Sequence, residues 1–426
     1  MYKTITECRA CKSPNLETIL DLGNIYPSNF INTEPALDYS DQAPVAVPFT
    51  LVKCSNCELV QLLHTVDLDL MYRHYWYKSS INPSMKESLK NIVESIEKRV
   101  ELEKYDKILD IGCNDAVMFD YYTRDDLIKI GFDPAYNLMA EALKRCTRFA
   151  NNYFTSEEFF RIGQTKAKVV TSIAMLYDLE DPNIFVEDIK KILREDGLWV
   201  IQFTDLYSMF KINDISNVCL EHLEYYGINW LKNFLESHGL EVFDIEQNST
   251  NGGSTRFYVS WPGVFNKTDN YYRLLEEEKI YMNSFSVEVF GKKYNDAYKA
   301  FASRVEDNKR KFLDFLNFCK SNKIPVHALG ASTKANTLLQ SWKVDKSLIQ
   351  SIGEISKDKF GLKTIGTEIP IVPESELLDK PVLVILTWQF KSFFLFKLKD
   401  YVENGGNLVF PLPEFEVIHK EKFNGN

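Results

Sequence analysis

The apolar run Lys107-Ile108-Leu109 feeds into Asp110-Ile111-Gly112-Cys113-Asn114-Asp115, and a second apolar run ends in Gly131-Phe132-Asp133-Pro134. A strand closed by a glycine turn exposes backbone N–H groups at its carboxyl end, and an acid after the next strand can hold two ribose hydroxyls. Asp133 follows Asp110 at close to the roughly 20-residue spacing of a Rossmann-like nucleotide site. No third glycine precedes the helix expected after this turn. Asn114-Asp115-Ala116 puts polar and acidic groups where a pyrophosphate would need close backbone approach, which suits a cationic adenosyl ligand better. S-adenosylmethionine is therefore the expected cofactor, met by Asp110, Gly112, Asn114, Asp115, Asp133, Pro134 and Met175. An ordinary polar strand-to-helix turn of an α/β core would also carry these residues.

With 426 residues the chain is long enough for two or three domains, each burying its own core. A net charge of −10 speaks against a nucleic-acid partner, which calls for a basic face. No signal peptide or membrane-length apolar run is visible, so a cytosolic protein is expected. Four of the eight cysteines form two CxxC turns, Cys8/Cys11 and Cys54/Cys57. Two such turns complete a thiolate tetrahedron, and a closed four-sulfur site holds a structural zinc with no open position for catalysis. Cys113, Cys146, Cys219 and Cys319 are scattered and read as small core residues.

The expected architecture is α/β in three parts. Residues 1–80 form a zinc module with strands near 19–22 and 49–52. Residues 81–262 form a Rossmann-like methyltransferase domain, opened by a helix over 84–103 with apolar positions Met85, Leu89, Ile92, Val93 and Ile96 at helical spacing. Its strands are expected at 108–111, 128–132, 169–173 and 198–203, alternating with helices as a parallel sheet requires. Residues 263–426 form a second Rossmann-like domain that binds substrate, with a charged helix over 298–323 and strands at 326–329, 382–386 and 407–410. In Gly330-Ala331-Ser332-Thr333-Lys334, hydroxyls and an ammonium gather at a helix start, a phosphate cradle or an ordinary N-capped helix.

Candidate chemistry concentrates in Cys219-Leu220-Glu221-His222-Leu223-Glu224-Tyr225-Tyr226, where acid/base groups crowd after the fourth strand. A surface histidine beside a glutamate would look the same. Tyr75-Trp76-Tyr77-Lys78-Ser79-Ser80 reads as a packed aromatic linker or as a lining to the site. Asn251-Gly252-Gly253-Ser254-Thr255-Arg256 reads most simply as a turn entering a strand, one that delivers an arginine to the sheet edge where a substrate anion could be met.

Taken together, these motifs resemble the sugar C-methyltransferases that act on nucleotide-linked 4-keto-deoxysugars. The likeness spans nearly the whole chain and adds Asn82, Gly366-Thr367-Glu368-Ile369-Pro370, and Trp388 with Phe390. It implies a zinc domain, a methyltransferase domain and a C-terminal Rossmann-like domain, with substrate held between them. It further implies His222 as base with Glu221 beside it, Tyr75 and Tyr77 lining the sugar site, and substrate contacts from Ser79, Ser80, Asn82, Asp178, Arg256, Ser332, Thr333, Lys334 and Trp388. Departures from the family pattern fall at Leu220, Asp178, Ile355-Ser356-Lys357 and Gln389, so substrate residues diverge more than cofactor and zinc residues. The expected reaction is removal of a proton next to a ketone, giving an enolate that attacks the sulfonium methyl. The expected partner is a nucleotide-sugar, with no nucleic acid or membrane; the sequence leaves the oligomeric state open, a monomer included. An O- or N-methyltransferase and a non-catalytic binding protein are the competing readings.

Overall fold

The computed structural model describes residues 2–31, 45–283, 287–289, 292–294 and 296–423. Its central sheet has seven strands, in the spatial order Glu241–Asn248, Ser254–Ser260, Leu193–Phe203, Ala167–Ile173, Lys107–Ile111, Ile128–Phe132 and Arg148–Ala150. Neighbours are parallel except where Ser254–Ser260 runs antiparallel to both of its partners. The strands expected near 108, 128, 169 and 198 are all present. Near-continuous burial along Ala167–Ile173 is what a parallel strand covered on both faces requires. Glu241–Asn248 escaped notice because Glu, Asp and Glu interrupt its apolar residues.

Chain order reverses at Lys107–Ile111, whose neighbours are Ile128–Phe132 on one side and Ala167–Ile173 on the other. In a parallel sheet, that switch point opens a crevice beyond the carboxyl ends. The turn leaving Lys107–Ile111 does not enter the expected α-helix. Gly112, Asn114 and Ala116 all take left-handed conformations, with φ of 70°, 55° and 59°. Such a backbone cannot start an α-helix, and only the short 3-10 turn Val117–Tyr121 follows.

The helix expected over 84–103 spans Pro83–Arg99. Asn82 caps it, accepting from the N–H groups of Ser84 and Met85, with proline at the first position. Its buried stripe Leu89, Ile92, Val93 and Ile96 faces the sheet, each side chain worth about 1.5–3 kcal/mol of burial.

In the N-terminal part, Leu16–Ile25, Val47–Cys54 and Val60–Leu62 form an antiparallel sheet. A fourth strand comes from far along the chain: Glu224–Tyr225 pairs with Gln61 and Val60. The C-terminal sheet runs in the order Ile371–Pro373, Ile352–Glu354, Val326–Leu329, Val382–Ile385, Asn407–Phe410 and Glu416–Ile418, parallel except for the last pair. The helix Ala297–Ser321 introduces it. One apolar core joins Phe49, Leu51 and Val60 of the N-terminal sheet, Met209, Leu220 and Leu223 of the central chain, and Ala328, Leu339 and Val384 of the C-terminal sheet. The segment bearing His222 is thus clamped between both flanking parts. No helix among the described residues is long and apolar enough to cross a membrane.

Candidate active site and metal centre

Cys8, Cys11, Cys54 and Cys57 bring their sulfurs within 4.8 Å of one another. The closest pairs, Cys8 with Cys57 and Cys11 with Cys54, stand 3.6 Å apart. A tetrahedron built on Zn–S bonds of about 2.3 Å has edges of about 3.8 Å, so the four thiolates fit zinc. Donors already face the sulfurs: Gln61 Nε2 to Cys8 at 3.2 Å, and Asn56 Nδ2 to Cys11 at 3.4 Å. Such outer contacts orient the ligands and stabilise their negative charge.

At the glycine turn, Asp133 is buried and each of its oxygens accepts one backbone N–H, from Asn114 at 2.8 Å and Ala135 at 2.9 Å. About half of a carboxylate's four acceptor positions remain for ribose hydroxyls. Burial pushes its carboxyl up to about 6. Asp110 accepts from Thr171 Oγ1 at 2.6 Å and is likewise pushed up by burial, to about 7. A Cβ on Gly112 would stand 3.2 Å from the side chain of Met175, so a side chain there would crowd the crevice. Pro134 is half-buried beside Asp133. Buried acceptor oxygens beside a bare glycine turn fit an adenosyl cofactor.

Residues 75–80 are stitched across this turn. Asn114 donates to the Tyr77 carbonyl at 3.0 Å and accepts from Ser79 N–H at 2.9 Å, while Asp115 accepts from Ser80 N–H at 3.1 Å. Asn137 clasps both main-chain groups of Tyr75, at 3.0 and 2.9 Å. Ser79 and Ser80 therefore meet the cofactor turn through their backbone, and Asn82 is a helix cap. Tyr75 turns inward, its phenol pushed well up by burial and by Asp178 and Glu221. Tyr77 remains 38% exposed.

His222 is buried, and its Nδ1 lies 2.8 Å from the main-chain oxygen of Asn217. A carbonyl only accepts, so Nδ1 carries the proton and Nε2 keeps its lone pair. Burial, then the Lys334 ammonium, hold the imidazole well below its ordinary range, leaving it neutral. The Tyr177 ring lies 3.9 Å away, centre to centre. Beside it, Glu221 and Asp178 are both pushed up by burial, Asp178 also by Glu221. Tyr72 donates to the Glu221 carbonyl at 2.7 Å. Glu221 Oε2, Asp178 Oδ1 and the Tyr225 hydroxyl are buried without a hydrogen-bond partner in the protein, as expected of groups that wait for a polar ligand.

The C-terminal part reaches the same cluster. Lys334 Nζ donates to the Asn217 side chain at 2.8 Å, and Trp388 Nε1 to Ser216 Oγ at 3.2 Å. Ser332 caps the helix Thr333–Ser341 through Ala335 N–H, and the Thr333 carbonyl accepts from Ser28.

Three family models match consecutive stretches: a zinc binding domain over residues 8–72, a methyltransferase domain over 83–245 and a C-methyltransferase C-terminal domain over 249–413. The C-methyltransferase NovU of Streptomyces niveus is 24% identical over 429 residues, covering 99% of each chain. The chain belongs to the S-adenosylmethionine-dependent C-methyltransferases. Solved structures overlap the methyltransferase more loosely. Magnesium protoporphyrin IX methyltransferase from Synechocystis, with bound SAH, is 11% identical, covers 42% of this chain and 87% of its own, and has a TM-score of 0.33. The plantazolicin methyltransferase BpumL, 11% identical, covers 42% and 86% with a TM-score of 0.34.

One expected site residue of the methyltransferase sits elsewhere. Arg256 is 2% exposed in the interior strand Ser254–Ser260, not at a sheet edge, and its guanidinium donates to Gln202, Tyr258 and Asn91. Burying a guanidinium demands such partners, and they hold it within a network of protein side chains. Tyr72, Asn137, Tyr177 and Asn217 were missed. Their contributions come from main-chain groups or from long-range approach, which no local spacing announces.

Proposed function

We propose that this C-methyltransferase acts on a nucleotide-linked 4-keto-deoxysugar and that His222 removes the proton from the carbon next to the ketone. The observation that carries this reading is the pairing of His222 Nδ1 with the Asn217 carbonyl, which leaves a neutral base with its free nitrogen at Nε2. A buried neutral imidazole is suited to take a proton from a weak carbon acid, and the phenol of Tyr75 can donate to the oxygen on which enolate charge develops. Glu221 and Asp178, with acceptor oxygens unclaimed by the protein, suit the hydroxyls of a sugar. Lys334 and Trp388 close the cluster from the C-terminal side, where the nucleotide would lie. S-adenosylmethionine supplies an electrophilic methyl; the chain's part is to hold Asp133 and the bare Gly112 turn against it and to keep water from the cluster.

His222→Asn should retain cofactor binding and lower turnover by roughly 10²–10⁴-fold, the usual contribution of a positioned base. Solvent deuterium wash-in next to the ketone should fall in parallel, because exchange needs the base and not the methyl donor. Exchange at the wild-type rate in a variant that no longer methylates would remove His222 from this role, and methylation of a hydroxyl or amine with no exchange would remove the ketone.

A further inference from the structure

Cys113 follows Gly112 in the cofactor turn, and its N–H donates to the Phe132 carbonyl at 3.0 Å. Cys146 lies across the strand Ile128–Phe132, where its successor Thr147 donates to the Lys129 carbonyl at 2.7 Å. Between them stands Gly131. A Cβ built there would lie 2.8 Å from Cys113 Sγ and 2.7 Å from Cys146 Sγ, closer than real Cβ contacts come. The glycine thus keeps open a gap in which two sulfurs converge. Cys113 is 6% exposed, whereas Cys146 is half-buried, so one sulfur can meet a solute and the other can only answer it.

We propose that Cys113 and Cys146 form an oxidisable dithiol beside the cofactor turn, which a peroxide converts to a disulfide. The Cys146 thiolate attacks one peroxide oxygen; the O–O bond breaks, hydroxide leaves and takes up the thiol's proton as water, and Cys146 becomes a sulfenic acid. Cys113 sulfur then attacks Cys146 sulfur; the S–O bond breaks, the S–S bond forms, and the hydroxyl leaves with the Cys113 proton as a second water. Two thiols lose two electrons and the peroxide gains them. Burial and the neighbouring thiol push Cys113 up, which keeps it protonated and leaves the first attack to Cys146. A sulfur–sulfur bond of about 2.0 Å draws Cys113 toward Gly131. The next residue, Asn114, is the one whose N–H holds Asp133, so oxidation loosens the ribose site.

The test treats the zinc-loaded full chain with hydrogen peroxide, maps peptides without reductant, and titrates S-adenosylhomocysteine by calorimetry. A linked Cys113–Cys146 peptide, an affinity lowered by about tenfold and recovery with reductant are expected. Cys146→Ser should bind equally before and after peroxide. Absence of the linked peptide, or a link that leaves affinity unchanged, overturns the proposal. So does an equal loss in Cys146→Ser, which would assign the effect to the zinc thiolates.

Discussion

Asp133 ties the glycine turn through Asn114 and Ala135 and leaves about half of its acceptor positions open, the positions proposed to take the ribose hydroxyls. Asp133→Ala should remove two charge-assisted hydrogen bonds to the cofactor, each worth about 1.5–3 kcal/mol, and weaken S-adenosylhomocysteine binding at least about tenfold by titration. Unchanged affinity would place the adenosyl site elsewhere. At His222 the pH dependence has a definite sign. Burial and the Lys334 cation disfavour the imidazolium, so the base stays neutral to well below pH 6.5 and the acidic limb of kcat/KM lies under that of a free histidine. Lys334→Met should move that limb to higher pH, whereas Lys334→Arg should leave it in place; a limb that ignores the charge at 334 would restrict Lys334 to substrate contact. Asp133 was legible because strand, turn and acid recur at a fixed separation. Asn217 was not, because what it offers His222 is a carbonyl that every residue has, made special only by the 3-10 turn Ile215–Asn217 that aims it.

The strap over residues 75–80 draws its order from side chains outside it. Asn114→Ala removes one donor and one acceptor from the strap, about 1 kcal/mol each. Amide exchange at Ser79 should quicken by about 30-fold, the equivalent of 2 kcal/mol in local opening. Exchange unchanged at Ser79 would mean that the Tyr75–Asn137 clasp and the Ser80–Asp115 bond suffice to hold the strap. Strands and long helices were readable at this scale because burial on both faces writes apolar runs and burial on one face writes helical spacing. The helix expected after the glycine turn failed for a reason also visible in hindsight: Asn114 and Asp115 bond to the strap, which requires the left-handed turn that forbids an α-helix. Arg256 misled because its strand is interior, and a single sequence does not give lateral order in a sheet.

The four-cysteine cluster connects to the His222 segment through the frame. Cys8 is bonded by Gln61, Gln61 pairs with Glu224, and Glu224 stands two residues from His222. A Cys54→Ser/Cys57→Ser variant should lose its one zinc per chain, as metal analysis would show. Its melting temperature should fall by more than about 5 °C, and turnover should fall more than cofactor affinity, since Asp133 and Gly112 follow strands of another sheet. Loss of cofactor affinity with turnover per bound cofactor intact would contradict that route. Glu224, which burial pushes up to about 8 against the pull of the nearby Arg9 cation, lies along the same path. The two CxxC turns announced the metal, but nothing in them announced the strand supplied from residue 224.

That borrowed strand also sets a timetable for a chain being made. At roughly 5–20 residues per second, the ribosome needs on the order of ten seconds or more to pass from Leu62 to Tyr225. Until then the edge of Val60–Leu62 that Glu224–Tyr225 will cover stays open. A sheet whose other strands lie before residue 63 is therefore completed only once residue 225 has been made. During that interval a metal ion clasped by the cysteines is what can keep the nascent edge in register.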